Sequence, residues 1–225
     1  MSSNALIQSG FSLETMSWVH EPGTKLEEES NKGKSGSYTL SEDGACLTVK
    51  PDGKRDFWRK TYYQPLLVKN DGPMLLYMIS PKLPCTMSVK LRVEPAKQFD
   101  QGGLMVYIGA EHWLKTGIEV VDKVSKLSCV VTNRYSDWST QDFSGDLHIK
   151  LSQIGEGSYV VEAKEAENES SSWNFIRIAH IDIPQDVSKI GLGVFACCPE
   201  EQEGGSVVFT QFKIQQGITF DHSAS

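Results

Sequence analysis

The residues best suited to bind or transform a ligand lie between Phe99 and Ser139. Lys115 and Glu119 are four positions apart in an extended pattern, and an even separation places both side chains on one face of a strand. Both charges stand within otherwise apolar runs. We therefore expect this segment to form much of any ligand site.

The same segment contains the side-chain types that bind carbohydrates. An aromatic plane packs against the apolar face of a pyranose, and planar polar groups hydrogen-bond its hydroxyls. The candidate ligand-binding residues are Gln101, Tyr107, Trp113, Lys115, Glu119, Asn133, Asp137 and Trp138. A structural alternative stays open: the tryptophans pack at sheet edges, and Lys115–Glu119 is an exposed pair worth less than about 1 kcal/mol.

Patterns for metal or cofactor binding are absent from the sequence. The five cysteines, at positions 46, 85, 129, 197 and 198, form no Cys-x-x-Cys pair, and the histidines lack metal-ligand spacing. No calcium-loop pattern is present either. We predict no metal and no cofactor, and we expect free thiols in a reducing cytosol.

The charge and hydropathy of the chain exclude several classes of partner. A formal net charge of −7 disfavours binding to nucleic acid or to an anionic membrane, since both require a positive field. No segment approaches the roughly 20 apolar residues of a membrane span. The first residues, MSSNALIQSGF, lack the basic and apolar regions of a secretory signal, so we expect a cytoplasmic protein.

Turn signals recur roughly every 8 to 14 residues, a spacing typical of a β-sandwich or barrel, and no sustained helical periodicity is present. Met74 to Ser80 is an apolar run between prolines, which predicts a strand buried on both faces. Cys85 to Pro95 alternates cleanly and predicts a half-buried antiparallel strand, with Met87, Val89, Leu91 and Val93 on one face. The fold class is therefore predicted to be all-β.

No linker divides the chain, which predicts one β-sandwich domain over residues 1–225, with a core at about 11–214 and a loose tail at 215–225. Four or five strands are expected between Phe99 and Leu151, broken at Gly109, at Gly117 and by a loop from Tyr135 to Gly145. Asp56-Phe57-Trp58-Arg59 is expected to pair Asp56 with Arg59. The acidic run Glu27 to Glu29 is expected to be a solvated surface.

Five short motifs occur in order along the chain, and their succession carries a family resemblance. They are DFW from Asp56, DQGGL from Asp100, WLKTGIE from Trp113, SCVVTN from Ser128 and SDWS from Ser136. The chain resembles the regulation of enolase protein 1 family, proteins of unknown function with the concanavalin A-like lectin/glucanase fold. The resemblance implies a jelly-roll sandwich of two antiparallel sheets, with a concave face where related folds hold sugars, and a cytosolic role in controlling enolase.

A pair of carboxyl groups about 5 to 10 Å apart would be required for glycoside hydrolysis. Glu119 and Asp122 are the nearest candidates, but an odd separation of three puts them on opposite faces of a regular strand. The Glu-x-Asp-x-x-Glu pattern of many glucanases of this fold is absent. We predict no catalytic residues.

The sequence thus favours a non-catalytic cytosolic regulator linked to carbohydrate metabolism. It would act through a glycolytic protein such as enolase, through a sugar-like ligand, or through both. The alternatives are a carbohydrate-binding module without a regulatory role and, less favoured, a glycoside hydrolase.

Overall fold

The computed structural model describes residues 5–23, 36–168, 170–200, 204–218 and 220, so the predicted acidic surface at Glu27 to Glu29 lies outside it. Over these residues the chain forms strands and no helix. The strands are β1 (Leu6–Ser9), β2 (Ser17–Val19), β3 (Ser37–Leu40), β4 (Cys46–Lys50), β5 (Phe57–Arg59), β6 (Val68–Asn70), β7 (Met74–Ile79), β8 (Cys85–Glu94), β9 (Gln101–Gly109), β10 (His112–Val121), β11 (Val124–Asn133), β12 (Ser136–Asp142), β13 (Leu147–Gly155), β14 (Ser158–Glu165), β15 (Asn174–His180), β16 (Ile190–Cys197) and β17 (Ser206–Gln216).

Two large antiparallel sheets pack face to face, as the sequence predicts. Sheet I has the order β12-β11-β10-β9-β16-β7-β2. Sheet II has the order β15-β14-β13-β8-β17-β4-β3, and β1 pairs with β17. Neighbours such as β9 and β16, far apart in the chain, lie side by side, which is the crossing connection expected of a jelly roll.

The core between the sheets is built from the alternate residues of each long strand. On β8, Met87, Val89 and Leu91 are buried in this core, in agreement with the alternation of the sequence. On β10, Leu114 and Ile118 are buried there as well. Each such side chain contributes about 1.5 to 3 kcal/mol by its removal from water.

A short hairpin covers part of the outer face of sheet I. It consists of β5 paired with β6. Phe57 of the hairpin packs edge-to-face against Trp113 of β10 at 5.8 Å and against Phe195 of β16 at 6.3 Å. A second, smaller apolar cluster therefore lies outside the sandwich core, and sheet I is buried on both faces over this area.

Three predicted boundaries are wrong. Strand β10 runs through Gly117, which pairs with Gly103 of β9 instead of ending a strand. The predicted loop from Tyr135 to Gly145 contains β12, which pairs with β11. Residues 215 and 216, expected in a tail, belong to β17, which is held between β1 and β8. Most of that predicted tail lies outside the described residues.

Candidate functional site

A cleft of about 210 Å³ opens on the outer face of sheet I, beside the β5–β6 hairpin. The described residues of its lining have one basic side chain, Lys115, and three acidic ones, Asp56, Glu119 and Glu200. The aromatic residues Trp58, Tyr63, Phe99 and Trp138 also line it, together with Pro199. The long strands β10 and β11 supply one side, while the hairpin and its loop supply the other.

Lys115 and Asp56 form a buried ion pair in this cleft. The Lys115 Nζ donates to Asp56 Oδ1 at 3.1 Å, and the side chains are only 3% and 14% exposed. The ammonium also lies 5.9 Å from the ring centroids of both Trp113 and Phe195. Burial alone would lower the pKa of Lys115, but the negative charges of Asp56 and Glu119 outweigh it, and the pKa lies above its usual value. Lys115 is therefore a fixed cation.

Glu119 is held by a chain of hydrogen bonds that begins at the edge strand. Trp138 Nε1 donates to Ser128 Oγ at 3.0 Å, and this hydroxyl donates to Glu119 Oε2 at 2.6 Å. Burial raises the pKa of Glu119, an effect that the charge of Lys115 and the Ser128 hydrogen bond oppose only in part. The carboxyl group is thus fixed in position and binds a proton more readily than an exposed glutamate.

The amide of Gln101 joins the two carboxyl groups. Its Nε2 lies 3.3 Å from Asp56 Oδ1 and 3.5 Å from Glu119 Oε1, and it donates to the Phe99 carbonyl oxygen at 3.1 Å. Gln101 is buried. Asp56 and Glu119 are therefore close neighbours, although one comes from the hairpin segment and the other from the sheet.

Two glycines between these groups let the strands of sheet I approach closely. Gly103 and Gly117 pair directly across β9 and β10, on the outer face between Lys115 and Glu119. A Cβ on Gly103 would stand 1.9 Å from the Thr116 carbonyl oxygen, which no side chain could tolerate. Between the two charged side chains, strand β10 therefore carries no side chain on its outer face.

Four of the predicted ligand-binding residues lie at or beside the cleft. Lys115, Glu119 and Trp138 line it, and Gln101 bonds to both of its carboxyl groups. Strand parity explains the first two, since residues 115 and 119 leave the same face of β10, as predicted. Trp138 shares this face because it lies opposite Val130 of β11.

Trp113 and Tyr107 lie on the correct face but under the hairpin. Trp113 is 0% exposed and packs beneath Phe57, so it offers no open plane to a sugar. Tyr107 accepts a hydrogen bond from Asn70 Nδ2 of β6 at 3.0 Å. Neither is among the residues that line the cleft, because the hairpin occupies the place that a ligand would need.

Asn133 and Asp137 are directed away from the cleft. Asp137 pairs with Val131, a core-facing residue, so it leaves the opposite face from its neighbour Trp138. Its carboxylate forms a 3.0 Å ion pair with Arg177 of the other sheet. Asn133 donates to Asp182 at 3.1 Å. Their placement in the predicted site is not supported by the structure.

The sequence interpretation missed the hairpin's contribution. Asp56 pairs with Lys115, whereas Arg59 pairs with Glu111, so the predicted Asp56–Arg59 pair is wrong. Trp58 packs edge-to-face on Trp138 at 6.2 Å. The motif that begins at Asp56 was a usable signal, because it places an acid next to two aromatic residues.

Metal-binding and membrane-spanning features are not found in the part of the chain that the structure describes. Over the described ranges no group of three His, Cys, Asp or Glu side chains is arranged to hold a metal ion. In those same ranges there is no helix with the length and apolarity to cross a membrane. The five cysteines are free thiols, as predicted, and burial raises the pKa of Cys85 to about 12 and that of Cys129 to about 11.

Comparison with known protein families identifies the family of this chain. The family model described as "Protein of unknown function (DUF1349)" matches residues 34–217, which is most of the chain. The chain belongs to this family. The DUF1349 match spans all the strands except β1 and β2, which lie before residue 34, and so includes every residue that lines the cleft.

Two similar proteins come from budding yeast, one matched by sequence and one by structure. The chain is 28% identical over 200 residues to "Regulation of enolase protein 1" of Saccharomyces cerevisiae, covering 87% of this chain and 93% of the relative. It is also similar to the crystal structure of a functionally unknown protein from S. cerevisiae, with 26% identity, a TM-score of 0.75, and coverage of 92% of this chain and 100% of that one.

More distant structures share the architecture alone. A GH43 protein, BlXynB of Bacillus licheniformis, has a TM-score of 0.61 at 16% identity, covering 80% of this chain and 34% of that protein. The lectin UEA-II, solved in complex with galactose, has a TM-score of 0.52 at 8% identity, covering 91% and 94%. The concanavalin A-like sandwich predicted from the sequence is thereby confirmed.

Proposed function

We propose that this protein is a non-catalytic regulator in carbohydrate metabolism that binds a small sugar-like ligand in the cleft of sheet I. The observation that carries the proposal is the meeting of Asp56, Lys115 and Glu119 in a cleft walled by aromatic rings. Fixed charged groups give hydroxyls strong, directional hydrogen bonds. Trp138 and Tyr63 add planes and a polar edge, which suits a ring with one apolar face.

The dimensions of the cleft favour a small ligand. Its volume of about 210 Å³ is below the roughly 300 Å³ at which drug-sized sites begin. A monosaccharide, or the terminal ring of a longer chain, is the matching size. Because the charged groups are already held by one another, little side-chain ordering is required when a ligand enters, which supports affinity.

The regulatory part of the proposal comes from the yeast relative, whose name associates it with regulation of enolase. We extend this role to the present chain, with a glycolytic protein such as enolase as the partner and the cytoplasm as the compartment. In this proposal the occupied cleft changes how the protein acts on its partner.

A thermal-shift and calorimetry screen with mono- and disaccharides tests the ligand. Millimolar affinity corresponds to only about 4 kcal/mol, so concentrations well above that range are needed. At 100 times its dissociation constant, a bound sugar should stabilise the protein by about 2.7 kcal/mol. Trp138→Ala should abolish the shift, and the matched control Asp137→Ala, one residue away on the opposite face, should retain it. No shift with any sugar would contradict the proposal.

The partner requires a separate experiment with purified components. Enolase from the same source is titrated with the protein, with and without the sugar found in the screen, while complex formation and enolase turnover are recorded. A complex or a change in turnover that Trp138→Ala weakens supports the regulatory role. If neither is seen with or without sugar, direct control of enolase is excluded. The remaining interpretation is then a carbohydrate-binding module without a regulatory role.

A second candidate function is glycoside hydrolysis, favoured by one observation. Asp56 and Glu119 both contact Gln101 Nε2 within 3.5 Å, so their carboxyl groups are close enough to flank one glycosidic bond. Burial also raises the pKa of Glu119, as a general acid requires. This function predicts turnover of an aryl glycoside that Glu119→Gln abolishes. Recovery of every bound sugar unchanged, with no aryl glycoside cleaved, would exclude it.

A further inference from the structure

We infer that the cleft accepts an uncharged or positively charged sugar and rejects the phosphate ester of the same sugar. The inference rests on the proposed function and specifies its ligand class. Two observations support it. Carboxyl groups outnumber basic groups around the cleft, and its lysine is buried and paired with a carboxylate.

Carboxyl groups outnumber cations among the residues that line the cleft. Among the described residues of the lining, Asp56, Glu119 and Glu200 supply three carboxyl groups and Lys115 is the one basic side chain. With Glu119 protonated, two carboxylates face one ammonium; with Glu119 ionised, three do. In either protonation state the cleft is negative, and the chain as a whole has a net charge of −7. Both fields oppose the approach of a dianion.

The cation of the cleft is already paired with a carboxylate and almost completely buried. Lys115 donates to Asp56 at 3.1 Å, is 3% exposed, and has the rings of Trp113 and Phe195 at 5.9 Å. Phosphate sites use arginine forks, accessible lysines or helix N-termini, all of which offer unpaired donors. Over the described residues the chain forms no helix. A phosphate would therefore have to reach a buried ammonium and compete there with the Asp56 carboxylate.

The cleft is better suited to hydroxyl and ammonium groups than to a phosphate. Carboxylates accept hydrogen bonds through two oxygens. The contacts of Asp56 with Lys115, Gln101 and the Phe57 N–H all fall on Oδ1, so Oδ2 is the oxygen of this carboxylate that can accept from a ligand hydroxyl. Glu200 is exposed at the mouth, where it can attract a cation without distortion of the core. The negative potential of the cleft does not weaken the binding of a neutral hydroxyl, and it strengthens the binding of a protonated amino group.

The test is a charge series on one ring: glucosamine, glucose and glucose 6-phosphate, titrated calorimetrically into the full chain at low salt. Mannose and galactose with their phosphates serve as alternative rings. We expect the phosphate ester to bind at least tenfold more weakly than its neutral parent, and the amino sugar at least as tightly as the parent. Added salt should narrow these differences, because it screens the exposed charge. Glu200→Lys should reduce the discrimination, and Glu42→Lys, on an exposed turn of sheet II, should not.

The possible results separate this inference from the proposed function. If neutral and phosphorylated sugars bind equally, or the phosphate binds more tightly, the inference is overturned while the sugar-binding function stands. If no member of any series binds, the proposed function fails and the inference fails with it. Discrimination of tenfold or more that Glu200→Lys narrows supports both.

Discussion

Lys115 Nζ and Asp56 Oδ1 lie 3.1 Å apart although 59 residues separate them in the chain. The pair ties the hairpin segment to the middle of sheet I. It closes one end of the small apolar cluster around Phe57, and the cleft begins at this point. The contact therefore belongs both to the fold and to the candidate site.

Replacement of one partner of this pair should be costly. Lys115→Met leaves the Asp56 carboxylate partly buried without its counter-ion, and broken pairs of this kind lose about 3 kcal/mol of stability. Urea unfolding of the wild type and the variant measures the loss. The double variant Lys115→Met with Asp56→Asn should recover part of it, since no unpaired charge is left. Asp56→Asn alone completes the cycle, and a loss in the double variant equal to the sum of the two single losses would show that the pair contributes no coupling.

Glu119 should make stability depend on pH. Burial raises its pKa, so the folded protein holds a proton that the unfolded chain releases. This stabilising contribution is fully present below the unfolded pKa of glutamate and is lost as pH rises through the folded pKa. Glu119→Gln removes the dependence. From acid to neutral pH, the wild type should therefore lose stability relative to the variant in denaturant unfolding; a constant difference would contradict the assignment.

The indole nitrogen of Trp138 should contribute separately from its ring. Trp138→Phe keeps an aromatic plane but removes the hydrogen bond to Ser128, which we expect to cost about 1 kcal/mol of stability. Sugar affinity should fall only modestly in this variant, whereas Trp138→Ala should abolish it. Calorimetry on the two variants separates the roles, and equal loss of binding in both would assign the effect to the hydrogen bond.

Much of the fold follows from local sequence patterns. The alternation from Met87 to Leu91 gives the burial of β8, and the even spacing of Lys115 and Glu119 gives their common face. The error at Gly117 has a physical cause. A glycine that permits close strand approach and a glycine that ends a strand are identical in a single sequence.

The set of residues that meet in the cleft could not be derived from local patterns. Asp56 reaches Lys115 through a long-range contact that no local pattern encodes. Trp113 has the correct parity but is covered by the hairpin, whose position depends on packing. Asp137 was misplaced because the faces of β12 follow from its register with β11. Residues 137 and 138 are adjacent in a strand and must face opposite sides of the sheet. Alternation alone therefore shows that they cannot both belong to one binding face.

The Asp137–Arg177 pair should have little effect on stability or on sugar affinity. The aspartate side chain is 72% exposed, so the pair is screened by water and contributes less than about 1 kcal/mol. Asp137→Asn should shift the denaturation midpoint only slightly and leave sugar affinity unchanged. A loss of binding in this variant would mean that the ligand site extends to the face of β12 opposite the cleft.

The most direct test of the central claim is a crystal structure of the protein soaked with the sugar that stabilises it most. We predict a ring against Trp138, with at least one hydroxyl within about 3.2 Å of a carboxylate oxygen of Asp56 or Glu119. A sugar bound elsewhere on the molecule, with this cleft empty, would contradict the account.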